Sequence, residues 1–321
     1  MKVDEKNSSI SMDYYIGVDG GGTKTEFLMF SKEGYIVDRV VLGGCNPNSV
    51  GLEDAFNILC EGVDILSRKH KNIKGIFIGA SGMATGTFSE QIKSSFKKKY
   101  PNIVIDCVTD IYNVISSCEM DDDCIAVISG TGLVINAYCK GQLKRVAGWG
   151  YLFEIAGSGF NIGKDAICAA LSEKDGTGKK TIITEMVEKE LCDDIHNSIS
   201  KIYASDYSYV ASFAQIVFDA FELGDDVAKE IIDKNAERIA YLINKLIDKY
   251  DHIKTVLVSG SLFTTNNIYL DFLLSKINRD MNFIIPTVPQ VYGACVMCCK
   301  LCDIKCNNLK ENFLKQYKNF V

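Results

Sequence analysis

Residues 16–29 read IGVDGGGTKTEFLM, in which three successive glycines separate two apolar runs. The run before the glycines predicts a strand that begins at Tyr14, and the run after them, TEFLMF, predicts a second strand. The turn SKEGY then leads into a third strand, IVDRVVLGG. The glycines are therefore predicted to form the turn of a β-hairpin rather than the start of a helix.

The segment after the third strand alternates helical and strand patterns. Apolar residues at helical spacing run from Leu52 to Leu66. Two strand-like runs, GIFIGAS and NIVIDCVTD, follow, separated by a Lys-rich stretch that is typical of an exposed helix end. Strands joined by crossover helices predict an α/β unit over roughly the first 115 residues.

The opening pattern occurs a second time further along the chain. Residues 125–150, IAVISGTGLVINAYCKGQLKRVAGWG, again give a strand, a Gly-Thr turn, a second strand, a hairpin and a third strand. Gly22 and Gly130, which begin the two Gly-Thr pairs, are 108 residues apart. This repetition predicts two duplicated domains. The alternative is that strand–glycine–strand turns recur in any α/β protein.

The rest of the second half is predicted to be mainly helical. A helical region extends from about residue 164 to 250, and the strands TVLVSGS and NFIIP and a helix from about Val291 follow it. We therefore predict an N-terminal domain at 12–117, a C-terminal domain at 118–300 and a C-terminal helix or tail at 301–321.

Composition excludes several classes of function. The chain has 321 residues, of which 47% are hydrophobic and 24% charged, as is typical of a soluble globular protein. A net charge of −6 gives no basic surface for nucleic acid, and no apolar run reaches the roughly 20 residues needed to span a bilayer. The N-terminal residues are polar, without a signal-peptide pattern, so the thirteen cysteines are expected to be reduced thiols in the cytoplasm.

The glycine turn is suited to phosphate, but two common phosphate-binding motifs do not match it. A P-loop requires a lysine where this chain has Thr23, and a dinucleotide fingerprint requires a glycine where it has Thr25. Both motifs also lead into a helix. In a hairpin, the free backbone N–H groups of the turn can form an anion-binding concavity instead. The duplicated pattern therefore predicts two phosphate-binding turns, one in each domain.

Six motifs carry a resemblance to a known family. They occur in the order GVDGGGTKTEFLMF, GGCNPNSVG, TDIYNVISS, AVISGTGLVINA, GWGYLFEIAGSGFNIG and VLVSGS. In this order they resemble the motifs of N-acetylglucosamine kinases and the broader BadF/BadG/BcrA/BcrD ATPase family, over about Tyr14 to Lys300. The resemblance implies an α/β fold of two duplicated actin-like ATPase (ribonuclease H-like) domains around a nucleotide and substrate cleft. It also implies ATP and Mg²⁺ as cofactors and an amino sugar as phosphoryl acceptor: N-acetylglucosamine, glucosamine or N-acetylmuramic acid.

The resemblance assigns nucleotide-binding roles to residues of both domains. Asp19 matches a carboxylate that the family associates with Mg²⁺, and its alternative role is to cap a turn. Leu133 stands where family members usually carry a serine. The remaining matches are Gly20, Gly21, Gly22, Thr23 and Lys24 in the first phosphate turn, Gly130, Thr131 and Gly132 in the second, and Gly260 and Ser261 in the adenosine-binding turn.

The resemblance also assigns an acceptor site. Asp110 matches the base that takes the proton from the sugar hydroxyl, and its alternative role is an ordinary helix N-cap. Trp149, the only tryptophan, matches the lining of the sugar site, and its alternative is a core aromatic. The residues matched to sugar binding are Asn46, Ser81, Gly82, Asp110, Trp149, Gly150 and Glu154.

One departure from the family pattern concerns the sugar side. The family normally reads Gly-Asp-Glu-Gly, and its Asp helps to hold the sugar, where this chain has Glu154, Ile155, Ala156 and Gly157. A site that lacks such a hydrogen-bonding partner loses roughly 1–3 kcal/mol of discrimination. We expect an altered acceptor, a weaker activity or, in the limit, a sensor that binds sugar or nucleotide without turnover.

The C-terminal cysteines leave one further function open. One helical stripe, which is typical of a buried face, contains Cys295, Cys298, Cys299, Cys302 and Cys306. The alternative is an iron–sulfur ATPase that activates a partner such as a 2-hydroxyacyl-CoA dehydratase, although cluster ligands usually come from loops with other spacing. The scattered histidines predict no metal site: His70, His196 and His252. Homodimers are common among soluble enzymes of this size, so a homodimer is the assembly to test.

Overall fold

The computed structural model describes residues 12–119, 122–264 and 267–320. These residues divide into two compact units. The first unit contains the described residues up to 119 together with those from 287 onward, and the second contains residues 122–286. Each unit is built on one five-stranded sheet.

The strands follow the alternation of apolar runs and glycine or polar turns in the sequence. In chain order they are β1 (Tyr14–Gly20), β2 (Lys24–Ser31), β3 (Ile36–Gly43), β4 (Ile73–Ala80), β5 (Val104–Val108), β6 (Cys124–Ser129), β7 (Leu133–Cys139), β8 (Gln142–Ala147), β9 (Thr255–Ser259) and β10 (Asn282–Ile284).

The helices lie where apolar residues recur at helical spacing. They are α1 (Pro47–Val50), α2 (Leu52–Lys69), α3 (Phe88–Lys99), α4 (Ile111–Ser117), α5 (Gly159–Lys174), α6 (Ile183–Leu191), α7 (Ile195–Ala204), α8 (Tyr207–Ser212), α9 (Ala214–Glu222), α10 (Asp226–Lys249), α11 (Ser261–Thr264), α12 (Asn267–Leu274), α13 (Gln290–Leu301) and α14 (Leu309–Gln316), followed by a 3₁₀ turn at Tyr317–Asn319. None of the helices in the described ranges is long and apolar enough to cross a membrane.

The two sheets have the same topology. The first has the order β3-β2-β1-β4-β5, and the second has the equivalent order β8-β7-β6-β9-β10. In each sheet the first two strands form an antiparallel hairpin, and the first strand also pairs in parallel with the strand that follows the crossover. The predicted duplication and α/β class are therefore confirmed.

The first unit packs helices on both faces of its sheet. On one face, α2 and α3 contribute Leu59, Val63 and Phe96 to a core that includes Ile16 and Val18 of β1. On the other face, the C-terminal helices α13 and α14 pack against a second core that includes Tyr15 and Phe30. Alternate residues of β1 thus serve two cores, as the period of a strand requires.

Helix α13 belongs to the first unit, whereas the sequence analysis assigned residues up to 300 to the second domain. The reason is a close contact between two residues that are far apart in sequence. A Cβ atom at Gly17 would lie 2.6 Å from the backbone nitrogen of Cys295. Only glycine in the middle of β1 lets α13 lie this near the sheet. The helix therefore belongs to the unit in which the chain begins. That unit takes residues from 287 onward, which the sequence had divided between the predicted domain 118–300 and the predicted tail 301–321.

The cysteine stripe forms part of the core, as predicted. Cys295, Cys298 and Cys299 are buried among the apolar residues of the second core of the first unit, and Cys302 and Cys306 pack against its edge. Burial raises the pKa of the Cys298 thiol well above its usual value, so this group remains protonated. These thiols therefore act as small hydrophobic side chains.

The second unit packs its helical region on one face of the sheet. Residues of β6 and β7 such as Ile125, Val127 and Ile135 share one core with the buried faces of α5, α9 and α10. Leu133, at the position where the family carries a serine, belongs to the same core. Its side chain is thus a packing residue.

Candidate functional site

The first glycine turn joins β1 to β2 as a hairpin, as predicted. The Gly21 N–H donates to the Lys24 carbonyl oxygen at 2.8 Å, and the Cys45 N–H donates to the Gly21 carbonyl oxygen at 3.1 Å. A Cβ atom at Gly20 would lie 2.5 Å from Cys45 Sγ, so the loop after β3 packs directly on the turn. Thr23 and Lys24 remain exposed at its tip.

Asp19 precedes the last residue of β1 and is held by a residue of α4. The Asn113 Nδ2 group donates to Asp19 Oδ1 at 2.7 Å and also to the carbonyl oxygens of Val18 and Gly79, at 3.3 and 3.1 Å. Burial raises the pKa of Asp19 to about 7, against the opposing effect of the Asn113 hydrogen bond. Asp19 is therefore a fixed carboxylate in an environment that disfavours its charge.

The groups around Asp19 suit a divalent cation. The neighbouring carboxylates Asp110 and Glu26 add to the rise in its pKa, whereas Lys24 opposes it. Glu26 already has partners, because Arg39 Nε lies 2.7 Å from its Oε1 and Tyr317 donates to it at 2.6 Å. Carboxylate oxygens are the ligands that Mg²⁺ prefers, and a cation here would relieve the charge of Asp19 and Asp110.

Asp110 lies with the first turn at the carboxyl edge of the sheet. The Ser81 N–H donates to the Gly20 carbonyl oxygen at 2.8 Å, and the Asp110 N–H donates to the Ala80 carbonyl oxygen at 3.3 Å. The residues that follow β1, β4 and β5 are thus linked to one another. Ligands of open α/β sheets bind beyond this edge.

The side chain of Asp110 does not act as the helix cap that was its alternative role. Asp110 stands at the N-cap position of α4, but among the described residues its carboxylate makes no capping hydrogen bond to the first turn of that helix. Its side chain is 9% exposed, and Thr109 Oγ1 donates to Asp110 Oδ1 at 3.0 Å. The buried carboxylate is thus held at the sheet edge without serving the helix.

The loop after β4 brings two further candidates together. Gly82 has φ = +80°, and a Cβ atom there would lie 2.2 Å from Asn46 Oδ1, so both the conformation and the space require glycine. Asn46 Oδ1 also accepts the Asn48 N–H at 3.0 Å and so caps α1. The Ser81 hydroxyl oxygen is buried and has no hydrogen-bond partner among the described residues. Such an orphaned polar atom favours a ligand at this place.

The second glycine turn is held by the start of α5. Gly130 donates to the Gly132 carbonyl oxygen at 3.0 Å and accepts the Gly159 N–H at 2.7 Å, while the Thr131 carbonyl oxygen accepts the Phe160 N–H at 3.1 Å. The hydroxyl of Ser129, the last residue of β6, donates to the Gly157 carbonyl oxygen at 2.6 Å. This turn is therefore fixed by hydrogen bonds between uncharged groups.

The turn after β9 lies beside the second glycine turn. Gly260 has φ = +99°, and a Cβ atom there would lie 2.2 Å from the Ser129 carbonyl oxygen, which only glycine permits. A Cβ atom at Gly130 would lie 3.5 Å from Ser261 Oγ. The second unit thus brings together the two turns that the sequence analysis matched to phosphate and adenosine.

The loop after β8 presents apolar side chains and uses its carboxylate internally. Trp149 is 61% exposed, so it is not a core aromatic, and Arg145 lies 5.2 Å from its ring centre. The buried carboxylate of Glu154 accepts the N–H groups of Gly148 and Trp149, at 2.8 and 3.0 Å, through one oxygen. Ile155 is 65% exposed, whereas Ala156 is buried. Glu154 therefore supports the loop around Trp149 and Gly150.

The sequence matches the model of a known protein family. The model of the BadF/BadG/BcrA/BcrD ATPase family matches residues 16–296, which include both hairpin turns and parts of both units. The chain belongs to this family. A curated relative, the N-acetylmuramic acid/N-acetylglucosamine kinase of Clostridium acetobutylicum, is 27% identical over 311 residues, which cover 91% of this chain and all of the relative.

Two further proteins are similar to this member of the BadF/BadG/BcrA/BcrD ATPase family. The N-acetyl-D-glucosamine kinase of Dictyostelium discoideum is 27% identical over 303 residues, covering 84% of this chain and 91% of that protein. The solved structure of a proposed N-acetylglucosamine kinase of Chromobacterium violaceum superposes with a TM-score of 0.73 at 21% identity, covering 91% and 99% of the two chains. The similarity to this solved structure concerns the fold alone.

The hydrogen bond from Asn113 to Asp19 was not predicted from the sequence. Asn113 lies within the motif TDIYNVISS, three residues after Asp110 and therefore on the same side of α4. It is fully buried, and a Cβ atom at Gly79 would lie 2.1 Å from its Oδ1. The spacing from Asp110 was the available signal, but the partner Asp19 is 94 residues away in sequence.

Proposed function

We propose that this protein is an ATP-dependent kinase that transfers the γ-phosphoryl group of ATP to a hydroxyl of an amino sugar. N-acetylglucosamine, glucosamine and N-acetylmuramic acid are the acceptors to consider. The family supports the use of ATP, and the two curated relatives are kinases for sugars of this class. The observation that carries the proposal within this chain is the joining of Asp19, Ser81 and Asp110 at one sheet edge.

The nucleotide side of the proposal rests on the glycine turns. The turn at 21–23 and the turn at 130–132 are hairpins. We assign to phosphate oxygens their backbone N–H groups other than those of Gly21 and Gly130, which bond within the turns. Lys24, at the exposed tip of the first turn, would add positive charge, and Gly260 and Ser261 would contact the adenosine. Asp19 would hold Mg²⁺, which when bound neutralises charge on the phosphates.

Asp110 is proposed as the general base. Its carboxylate would accept the proton of the attacking hydroxyl while the new phosphorus–oxygen bond forms and the bond to the ADP leaving group breaks. Its backbone is fixed by the hydrogen bond to Ala80, and its burial limits the water that surrounds it. Asn46, Ser81 and Gly82, in the adjoining loops of the same unit, would orient the acceptor.

The loop after β8 is proposed to contact the acceptor through apolar side chains. Trp149 offers an exposed aromatic face, and Glu154 holds the backbone that carries it. The family's carboxylate position is taken by the exposed Ile155, so this chain lacks a hydrogen-bond acceptor there. We therefore expect an acceptor that is altered, or bound more weakly, compared with other kinases of the family.

The proposal is tested by identifying the product. The purified protein is incubated with ATP and Mg²⁺ and with each of the three amino sugars, with glucose as the comparison sugar. We expect mass spectrometry and ³¹P NMR to detect a phosphate monoester of at least one amino sugar and an equal amount of ADP. ADP without any sugar phosphate would contradict the proposal.

A sensor that binds without turnover is the second candidate, and the exposed Ile155 is the observation that favours it. Its signature would be sugar or nucleotide binding by calorimetry with no sugar phosphate formed.

The iron–sulfur activase alternative has less support, because three of the five C-terminal cysteines are buried within the core of the first unit. All thirteen cysteines are free thiols, which suits a cytoplasmic kinase. Light scattering tests for a homodimer, which is a common assembly among soluble enzymes of this size.

A further inference from the structure

Three residues with different metal-binding groups meet in the second unit. Asp123 immediately precedes β6, Cys139 ends β7, and His252 lies in the turn before β9. One oxygen, the sulfur and one ring nitrogen of these residues all lie within 4.8 Å of one another. In the part of the chain that the structure describes, this is the one group of three or more such residues whose ligand atoms come this close.

The sheet topology explains the meeting. Strand β6 lies between β7, with which it is antiparallel, and β9, with which it is parallel. The start of β6, the end of β7 and the start of β9 therefore lie at one edge of the sheet. The glycine turn at 130–132 follows β6 at the opposite edge, so this cluster is separate from the proposed nucleotide site.

The cluster is partly organised before any ligand binds. His252 Nε2 lies 2.9 Å from Asp123 Oδ2, while Asp123 Oδ1 accepts the Lys140 N–H at 2.7 Å. The backbone contact fixes the carboxylate and leaves its other oxygen directed at the imidazole. A ligand carboxylate that is itself hydrogen-bonded in this way is the usual arrangement around protein-bound metals.

The geometry points to a binding site for a zinc-class divalent cation, held by the Cys139 thiolate, the His252 imidazole and the Asp123 carboxylate. This donor set suits Zn²⁺, and bond lengths of about 2.0–2.3 Å in a tetrahedron place ligand atoms about 3.3–3.8 Å apart. Small side-chain movements from the present positions achieve that spacing. Binding releases the thiol proton of Cys139, and the two anionic ligands balance the charge of the cation.

The fourth coordination position would hold water. The side chain of His252 is 53% exposed and that of Asp123 is 22% exposed, so the site is open to solvent. Three protein ligands and an exchangeable fourth are compatible with reversible occupancy. The scattered histidines predicted no metal site in the sequence, since Asp123 and Cys139 are 16 residues apart and His252 is far from both along the chain.

Cobalt(II) tests the site, because a thiolate–cobalt bond produces an ultraviolet charge-transfer band and tetrahedral cobalt absorbs visible light. The full-length protein is stripped with a chelator, kept reduced with a phosphine and titrated with Co²⁺. We expect one equivalent to produce both bands and Zn²⁺ to abolish them. In Cys139→Ser the charge-transfer band is expected to vanish, and in His252→Gln the affinity is expected to fall by roughly tenfold or more.

Matched controls come from the same unit. Cys192 is an exposed thiol, and His196 Nε2 lies 3.0 Å from Asp175 Oδ1, which reproduces the His–carboxylate pair of the cluster. Cys192→Ser and His196→Gln are expected to bind cobalt as the wild type does, with circular dichroism checking that every variant is folded. The proposal is overturned if the folded wild type gives no charge-transfer band or if Cys139→Ser retains it.

Discussion

The two glycine turns occupy equivalent places in sheets of the same strand order, but their chemistry differs. Before the first turn, β1 ends in Asp19 and Gly20, and before the second, β6 ends in Ile128 and Ser129. The first turn has a carboxylate whose pKa burial raises to about 7. The second is fixed by neutral hydrogen bonds, including that from the Ser129 hydroxyl to the Gly157 carbonyl oxygen.

The comparison indicates that duplication preserved the backbone position of each turn while the side chains became specialised. A β-hairpin offers N–H groups to an anion whatever its sequence. A buried carboxylate beside such a turn adds a requirement for positive charge, and the pKa of Asp19 stays raised to about 7 although Lys24 opposes the rise. The first turn should therefore depend on a cation, and the second should not.

The largest expected effect comes from Asp19→Asn. We expect kcat/KM of the proposed kinase to fall roughly 10²–10⁴-fold, because the carboxylate assigned to Mg²⁺ is lost. Ser129→Ala, at the end of the matching strand, is the control, for which we expect a loss of only about 1 kcal/mol of folding free energy. Full activity in Asp19→Asn would remove the proposed difference between the turns.

Asp19→Asn should also raise stability at alkaline pH when Mg²⁺ is absent. The pKa of Asp19 is raised in the folded chain to about 7, so the folded chain binds its proton more tightly than the unfolded chain does. Its contribution to stability is therefore present at low pH and is lost as pH rises toward about 7. We expect the variant to melt at a higher temperature than the wild type at pH 8, and the gain to disappear near pH 4.

Asn113→Ala tests whether Asp19 is positioned from α4. We expect activity to fall roughly 10–100-fold, as for other residues that orient a metal ligand. The Asn113 hydrogen bond lowers the pKa of Asp19, so its removal should shift the acidic limb of the pH–activity profile to higher pH. A loss of stability alone, with an unchanged pH profile, would assign Asn113 a purely structural role.

Ile155→Asp tests the apolar character of the loop after β8. The side chain is exposed, so the change should fold, whereas a carboxylate at the buried Ala156 would not be solvated. We expect kcat/KM for N-acetylglucosamine to rise roughly tenfold through the restored hydrogen-bond acceptor. Ile155→Asn is the uncharged control. An unchanged or lower kcat/KM in both variants would show that Ile155 does not limit acceptor binding.

The smallest expected effect comes from variants of Glu154. They distinguish a carboxylate that supports its own loop from one that contacts the sugar. Glu154→Gln keeps a carbonyl oxygen for the N–H groups of Gly148 and Trp149, whereas Glu154→Ala removes it. We expect the KM for the sugar to rise roughly tenfold in the alanine variant and to change less than about threefold in the glutamine variant, because only the loop contact matters. Equal losses in both variants would mean that the carboxylate itself binds the acceptor.

Much of the fold could be predicted because its signals are local. Strand alternation and turn glycines gave both hairpins, and their repetition gave the duplicated sheets. The placement of α13 could not be predicted, because it depends on the contact of Gly17 with Cys295, which no short window contains. Long-range packing of this kind assigned the last helix to the first unit.

The candidate site was predictable where a motif carries the chemistry, and less so where the chemistry depends on a partner. Asp19 and Asp110 were proposed from their strand ends and their motifs, and the structure has both at the same edge of the first sheet. Glu154 was matched to sugar binding, and the motif gave no sign that one of its carboxylate oxygens accepts two N–H groups of its own loop. The support from Asn113 and the convergence of Asp123, Cys139 and His252 required the topology of each sheet.

The central claim is most directly tested by ATP turnover with and without an amino sugar, in wild type and Asp110→Asn. We expect sugar-dependent release of ADP by the wild type, and in the variant a rate roughly 10²–10⁴-fold lower with nucleotide binding retained. Asn keeps the size of the side chain but cannot take the proton. Turnover that no amino sugar stimulates, or an Asp110→Asn variant as fast as the wild type, would contradict it.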